Sequence, residues 1–242
     1  MRAPAARRFQ PGALRVDGEG AVLRCLVLVP GPELVAVDLE SGALLRAPAG
    51  SGLPGEEGER SSPSERFEAD DSAGERAGDH PSGPRPWPER TLSAVELTLG
   101  PDTDPADPAR PEAVVLAGPP RAIGAPRRRV TRRLLEQITT KAADRPLLGT
   151  LGPSISYGDL DGTRPSVVIL APQARPRFGV GPNGPWCQFA LGGRRHTMPC
   201  AEGATPDAGV GGHSVKLLVV ALGPPRGGQV PKVVLGTVPV GR

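Results

Sequence analysis

Turn signals recur along this chain at a spacing of about ten residues, which leaves room for short strands and little room for helices. Asp161-Gly162, Asn183-Gly184 and Gly192-Gly193 each fall between apolar or alternating runs, and Glu40-Ser41-Gly42 separates Leu34–Leu39 from Ala43–Arg46 as a short hairpin loop. The first long run, Ala21–Val29, is apolar and rich in β-branched residues, and it stops at Pro30-Gly31-Pro32, the pattern of a buried strand. Further strands are predicted at 92–99, 113–117, 154–157, 166–170, 178–180, 186–191, 194–198, 215–222 and 230–238. The expected fold is therefore mainly β, a sandwich or small barrel of short antiparallel strands.

Two stretches break that rhythm. Pro48–Arg90 carries ten acidic residues and five arginines, with Phe67 and Trp87 as its aromatics. Ordering a backbone costs about 1–2 kcal/mol per residue, more than so little apolar surface offsets, so 48–90 reads as a disordered acidic insert. Strands resume after it. The expected organisation is a flexible 1–12, core strands in 13–47, the insert, and a β-rich 91–242, with a second module from about residue 147 as the alternative division. The other stretch is a helix over 127–143, following Pro126, in which Val130, Leu134, Ile138 and Ala142 recur every fourth residue beside Leu135.

Composition narrows the class. Gly 33 and Pro 31 make up roughly a quarter of the 242 residues, at the edge of low-complexity usage, and seven aromatics leave Val, Leu and Ala to fill the core. Lysine accounts for three of the 29 basic residues, a bias expected of a GC-rich genome that lowers the weight of any single arginine. Arg7-Arg8 is followed by no apolar segment, so a twin-arginine export signal is not expected. No run approaches the ~18 apolar residues of a membrane span, and three cysteines are too few and odd in number for a secreted disulfide framework. A cytoplasmic, non-membrane protein is expected.

Motifs for catalysis are sparse. No Gly-x-Ser-x-Gly elbow, Walker loop or His-Glu-x-x-His occurs. Tyr157–Gly162 has the opening of a calcium loop without its third acid or closing Glu, and reads as a hairpin turn. If Gly192-Gly193 forms a turn, Leu191 pairs with Arg194, Phe189 with His196 and Cys187 with Met198. Cys187, His196 and Cys200 then share a face, which His213 would join from a loop to complete a Cys2His2 set. Without a Cys-x-x-Cys pair this is a weak metal signal, and no cofactor is expected.

Charge distribution is the stronger signal. Residues 121–242 hold seventeen basic and six acidic side chains, whereas 48–120 hold six basic and fifteen acidic. On the helix, Arg128, Arg129, Arg132 and Arg133 fall opposite the stripe of Val130, Leu134 and Ile138, with Arg127 at the edge. Cations in the first turns oppose the helix dipole at a few tenths to about 1 kcal/mol each. A face so composed points to an anionic partner, nucleic-acid phosphate or an acidic protein surface. The competing reading is a solvated arginine face in an arginine-biased chain. The expected function is non-catalytic binding or regulation; an enzyme using the Cys187/His196 hairpin and a structural or assembly component are the alternatives.

Overall fold

The computed structural model describes residues 20–31, 33–48, 90–101, 107–140, 146–204 and 216–239. The insert predicted at 48–90 lies outside the described residues except for Pro48 and Arg90, as do 1–12, Ala142 and His213.

Among the described residues the fold is mainly β, with antiparallel sheets and one α-helix. In chain order the elements are β1 (Val22–Val29), β2 (Glu33–Asp38), β3 (Leu44–Pro48), β4 (Ala94–Thr98), β5 (Arg121–Gly124), α1 (Arg128–Ile138), β6 (Thr139–Thr140), β7 (Ser154–Ser156), β8 (Val167–Leu170), β9 (Arg177–Gly181), β10 (Gly184–Leu191), β11 (Arg194–Pro199), β12 (Lys216–Leu222) and β13 (Gln229–Pro239). They form three sheets, ordered β3-β2-β1-β4-β5, β6-β8-β12-β13-β7 and β11-β10-β9. All ladders are antiparallel apart from β6 on β8.

The first sheet curls until residues 113–116 stitch it to itself. Arg46 N donates to Glu112 O and Val114 N to Arg46 O on the β3 side, while Ala117 N donates to Thr98 O and Gly100 N to Val115 O beyond β4. The predicted strand 113–117 is thus a pair of isolated bridges, Arg46 with Ala113 and Leu99 with Leu116, because it spans a gap between two edges instead of following one. The enclosed cluster is made of small and medium side chains, among them Cys25, Val27, Ala36, Ala47 and Val95, as a narrow barrel requires.

Alternation along single strands shows how the layers stack. On β1, Cys25 and Val27 point into the barrel, while Leu26, Leu28 and, after a bulge, Val29 join a second cluster shared with β12, β13 and α1. On β12, Leu217, Val219 and Ala221 meet that second cluster, while Leu218, Val220 and Leu222 face a third one, with Cys187, Phe189 and Met198 of the third sheet. Both strands are covered on two faces, so both read as continuous apolar runs in spite of their antiparallel pairing. Gly236 of β13 permits the close crossing, since a Cβ there would lie 3.0 Å from Val29 Cγ2. Strands on either side of α1 share this second cluster.

Several predicted elements shift. β4 begins at Ala94, because Leu92 turns the chain at φ 65°. The β9–β10 turn is Pro182-Asn183 with Gly184 at φ 100° behind it, and Tyr157–Asp159 is a 3-10 turn instead of a hairpin. No helix among the described residues is long and apolar enough to cross a membrane.

Candidate functional site

α1 runs from Arg128 to Ile138, shorter than predicted, because Thr139 leaves helical geometry at φ −69°, ψ 120° to pair with β8. Its docked residues are Thr131, Leu134 and Leu135, with Ile138 half-buried. Val130, predicted to belong to the buried stripe, is 50% exposed. The stripe is rotated by one residue because Thr131, small enough to sit on the sheet, replaces Val130 at the contact. At about 100° per residue, Arg129 and Arg133 now lie opposite the docked side, with Arg128 and Arg132 flanking them. All four are exposed.

Electrostatically this helix is inverted. Its first turn holds no acid, its last turn no base, and Arg127 at the cap position makes no side-chain capping bond. Arg132 Nε meets Glu136 Oε1 at 2.9 Å, an exposed i,i+4 pair worth a few tenths of a kcal/mol. Glu96 pairs with Arg121 across β4 and β5, and Asp161 caps its own loop by accepting from Thr163 N and Oγ1 at 2.9 and 2.7 Å.

The β10–β11 hairpin forms in the predicted register, Leu191 with Arg194, Phe189 with His196 and Cys187 with Met198, over Gly192-Gly193 at φ 57° and 73°. Cys187 and Cys200 are buried on the inner face and close enough for the Cys187 thiol to bond Cys200; that bond and burial push Cys187 above the usual thiol range. His196 stacks on Phe189, with ring centroids 5.3 Å apart and planes at 20°. Burial holds its pKa below the usual histidine value, and Lys232 and Arg194 add to the effect. The imidazole is thus engaged by a phenyl ring and the thiol by a second thiol. Among the described residues no three His, Cys, Asp or Glu side chains cluster as metal ligands, and His213 lies outside them.

No protein family, characterised protein or solved structure matches this chain.

The structure adds a constellation that sequence reading missed. Arg46, 1% exposed, sits where the first sheet meets the second. Its Nε and Nη2 reach Glu33 Oε1 at 2.9 and 2.5 Å, Nη1 reaches Ser166 Oγ at 2.9 Å, and Nη2 also reaches Leu222 O at 3.0 Å. Ser166 in turn gives its N–H (2.7 Å) and its hydroxyl to the two oxygens of Glu112. Burial lowers the Arg46 pKa and Glu33 opposes that shift, but a guanidinium stays charged in either case. Beside Glu112 opens a cleft of about 220 Å³, lined by Leu44, Ile138, Thr140, Arg164 and Val168, smaller than the roughly 300–1,000 Å³ of ordinary ligand pockets. Both Glu112 oxygens are already committed to Ser166, so among the described residues that line this cleft no carboxylate is free of a hydrogen-bond partner.

Lys232 is the second buried cation among the described residues. It is 1% exposed, and its Nζ meets Thr150 O at 2.6 Å. Burial pulls its pKa down to about 8. It occupies the inner, β11-facing side of β13, between Val230 and Val234 of the third cluster.

Proposed function

We propose that this chain is a non-catalytic binding protein that meets an anionic partner, nucleic-acid phosphate or an acidic protein surface, through Arg128, Arg129, Arg132 and Arg133. The observation that carries the reading is the inverted helix: four exposed guanidinium groups crowd its first two turns, Arg128 and Arg129 in the first turn, where the dipole disfavours cations and no acidic residue stands, and Arg132, paired with Glu136, and Arg133 in the second. A helix selected only to cover the sheet gains nothing from that arrangement, whereas phosphates or carboxylates arriving from outside would find several charges on one face. The alternative enzyme at Cys187/His196 is less well supported, because the thiol is buried and the imidazole is stacked on Phe189.

The test is a comparison of wild type with the Arg128, Arg129, Arg132 and Arg133→Gln variant in binding to heparin and to nucleic acid at low salt. Gln keeps helix propensity and removes charge. Loss of binding with the thermal midpoint unchanged or slightly raised supports the proposal. Equal binding by both proteins, or unfolding of the variant, defeats it.

A further inference from the structure

The third sheet offers a surface whose case does not rest on the helix. Its inner side, with Cys187, Phe189 and Met198, faces the core. Strand alternation and the two ladders place Ala190 with Arg195 in one row of the opposite side, Arg177, Gln188 and Thr197 in the next, and Gly179, Trp186 and Pro199 in the row beyond. Trp186 belongs to none of the hydrophobic clusters.

Glycines make the seat for that indole. On β9 Phe178 and Val180 fall on the side of Cys187, Val180 being 83% exposed at the sheet's end, whereas Gly179 and Gly181 fall on the side of Trp186. A Cβ at Gly179 would collide with Cζ2 and Cε2 of Trp186, and one at Gly181 would lie 3.4 Å from Cδ1. The ring therefore lies along bare β9 backbone, flat against the sheet, with part of its surface in solvent. The strands that carry it hold charge of one sign. From Gly162 to Ala201 the sequence has five arginines and no Asp or Glu. Arg177 and Arg195 are exposed, and among the described residues neither meets a carboxylate.

We infer that the outer face of β9–β10–β11 binds single-stranded nucleic acid, with a base stacked on Trp186 and the phosphates that lead away from it held by Arg177 in the adjacent row and Arg195 in the row after that. A flat indole beside a run of guanidinium groups suits an unpaired base, whose π-face a duplex hides. Gln188, whose Nε2 lies 3.2 Å from Thr197 Oγ1, adds a polar group beside the stacking position. An acidic peptide would use the arginines and leave the indole idle.

In a Trp87→Phe background Trp186 is the one tryptophan of the chain and reports on its own surroundings. That protein is titrated at low salt with oligo(dT) and oligo(U) of about twelve nucleotides, a matched duplex, and an oligoglutamate peptide. Saturable quenching by the single strands, tighter than by the duplex, is expected, and the two oligonucleotides together separate DNA from RNA as the source. By anisotropy of a labelled oligonucleotide, Trp186→Ala should weaken binding about tenfold or more, while Trp186→Phe retains most of it. The Arg177→Gln/Arg195→Gln variant, which leaves the indole seat intact, should flatten the salt dependence. The helix variant should still show Trp186 quenching. The inference is overturned by absent quenching, by equal quenching with oligoglutamate, by undiminished binding in Arg177→Gln/Arg195→Gln, or by loss of the Trp186 response in the helix variant.

Discussion

The two inter-sheet joints of this molecule bury one cation each and treat it differently. Where the first sheet meets the second, Arg46 is met by Glu33, Ser166 and a backbone carbonyl, with Glu112 behind Ser166. Where the second meets the third, Lys232 has one carbonyl, Thr150 O, and His196 nearby with its pKa held down. Burying a charge is costly unless partners replace its hydration, so the first joint binds its layers through the ion and the second tolerates an ion it would be more stable without. The contrast separates a charge that specifies an interface from one that strains it.

Removing the cation from the first joint should have the largest effect. Arg46→Met leaves Glu33 with the more distant Arg110 at 3.8 Å as its remaining cation and Leu222 O and Ser166 Oγ without the guanidinium donor, and should lower unfolding stability by about 3–5 kcal/mol in a urea titration. A loss below about 1 kcal/mol would place Arg46 with the ordinary surface pairs. Lys232→Met should act in the opposite direction, stabilising the fold at neutral pH by an amount on the order of 3 kcal/mol, less the lost bond to Thr150 O. The pH dependence follows from the lowered pKa. The unfolded lysine titrates at the ordinary 10.5 and the folded one at about 8, so between those values the unfolded chain binds more protons, and wild type gains stability relative to the variant as pH rises. Melting curves of both proteins from pH 7 to 11 should converge; a gap that is constant or widens contradicts a strained Lys232. Glu112→Gln is the mildest of the three, costing about 1–3 kcal/mol, because an amide still accepts from Ser166 N but forfeits the charge-assisted bond. Wild-type stability in Glu112→Gln would mean that the carboxylate adds nothing at the joint.

Legibility followed the range of the interactions. The β10–β11 register was readable because Gly192-Gly193 sets it within a two-residue turn. Strand type in β1 and β12 was readable from their unbroken apolar runs, whereas the reason for those runs, burial between two other layers, is a tertiary fact. The helix was readable as a helix. Its buried stripe was misjudged by one residue, since hydrophobicity favoured Val130 while the docking geometry took Thr131. Arg46 gave no local sign at all. It occupies an alternate position of β3, where a polar residue reads as solvent-facing, and its partners lie 13, 120 and 176 positions away in the chain. Lys232 was hidden in the same way between Val230 and Val234, and the Trp186 seat became visible only when β9 placed Gly179 beneath the ring.

Counterion release gives the sharpest test of phosphate binding by the basic helix. Each phosphate neutralised by an arginine contributes a slope of about 0.7–0.9 to the fall of log affinity with log salt. Binding of wild type and of the Arg128, Arg129, Arg132 and Arg133→Gln protein to one labelled oligonucleotide should be measured across a salt series. The account predicts a steep wild-type slope that flattens in the variant by about 0.7–0.9 for every contact removed, uniformly across nucleic-acid sequences. Parallel slopes, or a wild-type affinity indifferent to salt, would contradict it.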